Sequence, residues 1–259
     1  MTFTTLRYDV QDHVAVITYD RQERRNAWGL AMYREVHAAV ERANADDTVG
    51  AIVLTHEGPI FCAGTDFKDG PHEKDPATGI RPNMATESMA LDRSWLHLLA
   101  AAKPVIAAVN GKAIGAGVTQ LLPTDIRVSG QSSTYSFPFL ELGFMPELGC
   151  TALLPRLVGY GRAVDLCLTA ATLTAAEALN IGLVSRVVPD DDVLSTAMKL
   201  ATKIAGYPRR QVSFTRRLLR ENYLEEDLNR ILGRETEAFR TVLREAKAKK
   251  AARQDREGK

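Results

Sequence analysis

Val105–Val109 is apolar at every position, Ala51–Leu54 likewise, and Val14–Tyr19 is built from β-branched, aromatic and small residues. A strand with one wet face alternates apolar and polar residues, so strands without that alternation are buried on both faces. Two buried faces need covering layers, and the intervening segments supply them. After Asn26 the period changes: Tyr33, Val36, Val40 and Ala43 recur every three or four residues, as on one face of a helix. Leu91–Ala102 reads as a second helix, and Ile126–Val128 and Arg186–Val188 as weaker strands. Strands alternating with helical periods predict an α/β chain with a mostly parallel sheet and crossover helices. With 259 residues, 45% of them hydrophobic, the chain can bury one sizeable core.

No strand candidate follows Pro189. Asp190–Ala205 reads as a helix, and Pro208–Glu221, with proline in its first turn, as another. Leu224, Leu228, Ile231, Leu232, Ala238, Phe239, Val242 and Leu243 form an apolar stripe on a longer helix, to be buried against the core or a neighbour. The reading therefore divides the chain into a core at 1–189 and a helical, oligomer-forming region at 190–259. Asp69–Pro82, rich in charge, Gly and Pro, reads as a loop over a site.

Composition excludes several classes. Lys+Arg and Asp+Glu number 33 and 32, a formal net charge of +1, so nothing points to nucleic acid as a partner. Cys62, Cys150 and Cys167 are too few and scattered for a disulfide framework or a zinc site. No metal is expected, and the cysteines read as free thiols of a reducing, cytoplasmic compartment. Met1–Thr5 lacks the features of a signal peptide, and the longest apolar runs fall far short of a membrane span.

Two turns carry the chemistry. Phe61-Cys62-Ala63-Gly64-Thr65-Asp66-Phe67 follows a buried strand, and its small residues Ala63 and Gly64 let a ligand approach the backbone. Asn110-Gly111-Lys112-Ala113-Ile114-Gly115-Ala116-Gly117 follows Val105–Val109 and precedes a helix expected at Val118–Leu122. It lacks the spacing of a dinucleotide fingerprint or a P-loop. Two N–H groups from separate strand ends can converge on one carbonyl oxygen and stabilise charge developing there. Each turn alone is equally well an ordinary strand-to-helix connection.

In order and spacing, these segments resemble the crotonase (enoyl-CoA hydratase/isomerase) family over about residues 10 to 240. The resemblance is carried by Asp20-Arg21 with Arg25-Asn26-Ala27, Phe61–Asp66, Lys103–Gly111, Gly115-Ala116-Gly117, Asp125-Ile126-Arg127, Pro155–Gly159 and Ala175–Val188. It implies a spiral of ββα units with a C-terminal helical region, assembled as a homotrimer or a hexamer. It also implies an enzyme of acyl-chain metabolism acting on acyl-CoA thioesters, with coenzyme A as part of the substrate and no other cofactor. The family's thioester oxygen would sit between the backbone N–H groups of Thr65 and Ala116. The rest of CoA would lie along Ala63, Gly64, Asp66 and Ala27. Arg24 or Arg25 would meet a CoA phosphate unless each is a solvated surface cation. Phe239 matches an aromatic that a neighbouring subunit can bring to CoA, although its place on the stripe favours core packing. Asp66 is also expected to order its loop.

The chain departs from the family's hydratases where their two glutamates stand. Those positions hold Thr119 and Phe139, neither of which can exchange a proton near neutral pH. A carboxylate appears instead in Met145-Pro146-Glu147-Leu148-Gly149, a position where some family isomerases, of the Δ3,Δ2-enoyl-CoA type above all, carry an acid. Apolar neighbours would raise the pKa of Glu147, as suits a proton shuttle. Glu141 is the rival carboxylate, and Cys62 reads as a small buried residue. Three activities follow from the resemblance: enoyl-CoA isomerisation, a water-using reaction such as atypical hydration or hydrolysis, and acyl-CoA binding without catalysis.

Overall fold

The structure, a computed structural model, describes residues 2–69 and 94–257. The segment Asp69–Pro82 therefore lies outside the described residues except for Asp69, as does the start of the helix read at Leu91–Ala102.

Strand β1 (Leu6–Gln11) and strand β2 (Val14–Tyr19) form an antiparallel hairpin, with Gln11 opposite Val14. The two-residue connection Asp12-His13 has positive φ at both positions, 49° and 63°. Such a turn has the hand that matches strand twist. Next come helix α1 (Leu30–Ala45), strands β3 (Ala51–His56) and β4 (Ile60–Cys62), and helix α2 (Trp95–Ala101). Strands β5 (Val105–Val109) and β6 (Lys112–Ile114) lead into the short helix α3 (Ala116–Thr119). Strands β7 (Ile126–Gly130) and β8 (Thr134–Ser136) precede helices α4 (Cys150–Val158) and α5 (Tyr160–Leu168). Strand β9 (Thr172–Thr174), helix α6 (Ala175–Asn180), strand β10 (Arg186–Val188) and helix α7 (Val193–Ala205) complete the first of two compact units, Met1–Ala205.

Two sheets result. The larger has the order β1-β2-β3-β5-β7-β10 and is parallel from β2 onward. The smaller has the order β4-β6-β8-β9, parallel except for its last pair. The strand pairs β3–β4, β5–β6 and β7–β8 each contribute a longer strand to the first sheet and a three-residue strand to the second, whereas β1 and β2 both lie in the first. The crotonase-type spiral of the sequence reading is thus the fold observed.

The continuous apolar strands are buried on both faces, as their composition requires. Ile52, Leu54, Ala107 and Val109 join the larger core cluster with α1 residues Tyr33, Val36 and Val40. Ala51, Val53, Ile106 and Ala108 point the other way, onto Val193, Ala197 and Ala201 of α7. This corrects the division at Pro189. The small residues Ala197 and Ala201, spaced by four, let α7 lie close on the sheet, so it belongs to the core unit, which extends to Ala205.

The second unit, Gly206–Lys259, contains helix α8 (Arg209–Asn222) and helix α9 (Leu228–Glu257). Ion pairs Arg210–Glu245 at 2.8 Å and Arg234–Glu225 at 2.9 Å link its segments. The apolar stripe is buried only at Ala238, with Ile231 and Val242 half-buried. Leu228 is 71% exposed and Phe239 65%, and Leu224, Leu232 and Leu243 are exposed too. The core packing that the stripe favours for Phe239 is therefore not observed.

Candidate active site

The first turn is fixed by an anchor that sequence reasoning quoted but did not interpret. Asn26 is buried in a left-handed conformation, φ 52°. Its Nδ2 donates to the carbonyls of Glu57 and Ile60 at 2.9 and 2.8 Å, and its Oδ1 accepts from the Arg21 N–H at 2.8 Å. Asparagine tolerates this backbone and satisfies three main-chain groups at once. Asn26→Ala is expected to cost about 3 kcal/mol, at roughly 1 kcal/mol per lost hydrogen bond. Urea denaturation checks this, and a loss below about 1 kcal/mol would contradict the anchoring role.

From that anchor the chain pairs with the strand-end turn. The Ala63 N–H donates to the Arg25 carbonyl at 3.1 Å. Trp28 and Thr65 form a parallel bridge, in which the Trp28 N–H donates to Gly64 and the Asp66 N–H donates to Trp28, at 2.8 and 2.9 Å. A bridge of this pattern leaves the Thr65 N–H on the opposite side. In the second turn Ala116 opens α3, where an N–H has no partner within the helix. Neither the Thr65 nor the Ala116 N–H has an acceptor among the described residues.

The turns lie against each other. A Cβ on Gly64, whose φ is +99°, would stand 2.9 Å from the Ile114 carbonyl oxygen and 3.7 Å from the Ala116 nitrogen. Glycine is thus demanded both by conformation and by the approach of the second turn. The two strand ends, β4 and β6, are parallel neighbours in the smaller sheet, which is what brings the two turns together.

Both turns border a cavity of about 610 Å³. Phe139, Leu142, Phe144, Met145, Leu96 and Ile114 give it a mostly apolar lining, and Thr65, Ser94 and Glu147 supply its polar side chains. Phe67 and Phe144 stack at the same cavity with ring centroids 5.1 Å apart. Ser94, Leu96 and Leu142 had no sequence signal, because they come from separate elements that only the fold assembles.

Glu147 is the one titratable group among the described lining residues. It precedes Leu148 and Gly149, both with positive φ (51° and 71°), at the start of α4. That left-handed turn costs Leu148 about 1 kcal/mol or more. A Cβ on Gly149 would stand 2.5 Å from Leu96 Cδ1, so close packing on α2 fixes the turn. The Thr65 hydroxyl donates to Glu147 Oε1 at 3.1 Å. Burial pushes the Glu147 carboxyl above the ordinary glutamate value, and the Thr65 hydrogen bond opposes it without cancelling it.

The other sequence candidates are placed as follows. Phe139 is buried and lines the cavity. Thr119 is fully buried, and its hydroxyl has no hydrogen-bond partner among the described residues. Glu141 is exposed. Arg24 is partly exposed and makes a bidentate pair with buried Asp66, Nη2–Oδ1 at 2.7 Å and Nε–Oδ2 at 3.0 Å. Arg21 adds a second cation 3.3 Å from the same carboxylate. Burial alone would raise the Asp66 pKa. The hydrogen bonds from Arg24 and the Lys68 N–H, with the charges of Arg24 and Arg21, outweigh it and hold the group below the usual range. Asp66 thereby ties its own turn to the segment that carries Arg21 and Arg24. Arg25, at φ 55°, is exposed and has no ion pair among the described residues. Ala27 is half-buried, its N–H donating to the Arg24 carbonyl at 3.0 Å. Burial pushes the Cys62 thiol up to about 12, so it is no nucleophile.

Known proteins match the chain over most of its length. The family described as enoyl-CoA hydratase/isomerase matches residues 9–257. The chain belongs to the crotonase family. Among relatives, a probable enoyl-CoA hydratase of Rhodobacter capsulatus is 40% identical over 196 residues, covering 74% of this chain and 72% of the relative. A probable mitochondrial enoyl-CoA hydratase of Dictyostelium discoideum is 34% identical over 221 residues, 85% and 77% of the two chains. The structure of an enoyl-CoA hydratase from Bacillus anthracis superimposes with a TM-score of 0.83 at 29% identity, over 93% of this chain and 92% of the other. That of a putative enoyl-CoA hydratase/isomerase from Mycobacterium abscessus gives 0.82 at 33% identity, over 92% and 90%. A crotonase-family acyl-CoA enzyme is thus supported by sequence and fold together. No helix among the described residues is long and apolar enough to cross a membrane.

Proposed function

We propose that this crotonase-family protein is an enoyl-CoA isomerase that moves a 3-enoyl double bond into conjugation with the thioester. Glu147 removes a proton from C2 and returns it at C4. The N–H groups of Thr65 and Ala116 receive the oxygen of the dienolate formed in between. CoA runs along Ala63, Gly64, Asp66 and Ala27, with exposed Arg25 the cation free for a phosphate. The observation that carries this reading is that Glu147 is the one titratable group lining the described cavity. A shuttle needs one carboxylate, whereas hydration in this family uses two, and here Thr119 and Phe139 stand in their places. The reaction is redox-neutral and asks for no redox cofactor.

The relatives' names favour a second reading, in which Glu147 activates water. A panel of 2-enoyl- and 3-enoyl-CoA substrates followed by mass spectrometry separates the two. Isomerisation leaves the mass unchanged and creates conjugated absorbance; water addition raises the mass. Products carrying added water, with no isomer formed, would overturn the isomerase reading.

Assembly as a trimer or hexamer is part of the proposal, and the exposed Leu228, Leu232, Phe239 and Leu243 of α9 support it. An apolar face of this extent is usually covered by a partner. Phe239 would then reach a neighbouring subunit's CoA site. Light scattering should give a multiple of the 28.4 kDa chain mass. A single-chain mass at micromolar concentration would count against it. Cytoplasmic placement rests on the three free thiols.

A further inference from the structure

We infer that the Thr65 side chain is a positioning residue for Glu147, fixing which carboxylate oxygen faces the substrate while the Thr65 backbone N–H serves the thioester oxygen. The inference rests on the reading of Glu147 as the base and adds a role for a hydroxyl that the oxyanion function does not require, since any residue but proline supplies an N–H there.

Three observations carry it. The Thr65 hydroxyl donates to Glu147 Oε1 at 3.1 Å, across 82 residues of sequence. Glu147 Oε2 has no hydrogen-bond partner among the described residues, so it is the oxygen left to exchange protons. Ser94, the other hydroxyl among the described lining residues, makes no hydrogen bond to Glu147, so the hold on the carboxylate falls to Thr65. On the adjoining elements, Asp66 is committed to Arg24 and Arg21, and His97 and Glu141 are exposed and do not line the cavity.

The hydrogen bond has two consequences. It holds a flexible glutamate in one orientation relative to both N–H donors, because one residue supplies the hydroxyl and one of the donors. It also stabilises the charged carboxylate against burial, which favours the ionised form of the base in an apolar cavity. The hydroxyl thus acts through Glu147 and needs no contact with substrate.

Thr65→Val keeps the branched shape and the N–H and removes the hydroxyl; Thr65→Ser keeps the hydroxyl. Thr65→Val should bind acetyl-CoA as wild type does and lose kcat on 3-enoyl-CoA by roughly ten- to a hundred-fold, the worth of a hydrogen bond to a charged group. Its low-pH limb should move to higher pH, and Thr65→Ser should restore both rate and limb. An infrared titration of the Glu147 carboxyl, taken as the difference from Glu147→Gln, reads the same bond without turnover. Identical titrations in wild type and Thr65→Val would overturn the proposal. So would a Thr65→Ser protein as slow as Thr65→Val, or a loss of rate equal at every pH. If wild type fails to isomerise but the carboxyl titrates higher in Thr65→Val, the hydroxyl's hold on the carboxylate stands and the isomerase reading alone falls.

Discussion

Glu147→Gln is expected to bind acetyl-CoA with wild-type affinity and to lose at least 10²–10⁴ of its turnover, the usual contribution of a general base. Glutamine keeps the shape and can still accept from the Thr65 hydroxyl, so the cavity should not collapse. Conversion of a 3-enoyl-CoA to its 2-enoyl isomer measures the effect. Glu141→Gln and Thr119→Ala should retain most activity, because neither residue lines the described cavity. A Glu147→Gln protein that turns over normally beside a dead Glu141→Gln would reassign the base. The pH dependence has a definite sign. Glu147 must be ionised to accept the C2 proton, and its pKa is raised by burial. Wild-type activity should therefore fall on acidification at a higher pH than an ordinary glutamate would give. Stability runs the other way. A carboxyl whose folded pKa lies above its unfolded value loses stability as pH rises from the unfolded value through the folded one. Glu147→Gln should consequently melt higher than wild type at neutral pH and show no such gain below the ordinary glutamate range. Differential scanning at the two pH values decides this.

Gly64→Val is expected to abolish the stabilisation that CoA confers, which for wild type amounts to about 2.7 kcal/mol at a hundred times Kd. The sequence alone suggests that a β-branched side chain would block the ligand. The structure gives a nearer obstacle. At φ +99° any Cβ meets the Ile114 carbonyl oxygen at 2.9 Å, so the first turn must move away from the second. The left-handed backbone adds about 1–3 kcal/mol of strain. Displacing the Thr65 N–H should also cost roughly the 10²–10³ in rate that a lost oxyanion donor costs. Thermal melting with and without acetyl-CoA tests the binding, and circular dichroism confirms that the sheets persist. Undiminished stabilisation in a folded Gly64→Val would show that CoA sits elsewhere.

The legible parts of the fold were those with long-range consequences written locally. β3 and β5 are apolar without interruption because both faces are covered, and α1 shows its period because one face meets the core. β4, β6, β8 and β9 were not resolved as a second sheet. Each is three residues long, too short to display alternation, and they mix Lys112, Thr134 and Thr172 with apolar residues. β1 was absent from the residue-level reading because it is an edge strand with few buried positions. The α7 helix was legible, but its membership in the core was not. An amphipathic period shows that a face is buried and does not say against what.

At the site, the sequence by itself determined which groups exist: two glycine-containing donor turns, no carboxylate at Thr119 or Phe139, and one at Glu147. These follow from residue identity, which fixes what can donate, accept or exchange a proton. Only the tertiary structure decided which groups meet. Thr65 and Glu147 are 82 positions apart and share a hydrogen bond; Arg24, two positions before Asn26, is drawn to Asp66; Phe239 stands exposed. Contacts of that kind depend on β4 pairing with β6 and on the left-handed turn at Leu148 and Gly149. Pairing and turn geometry are set by the packing of distant elements, and no local window of sequence contains them.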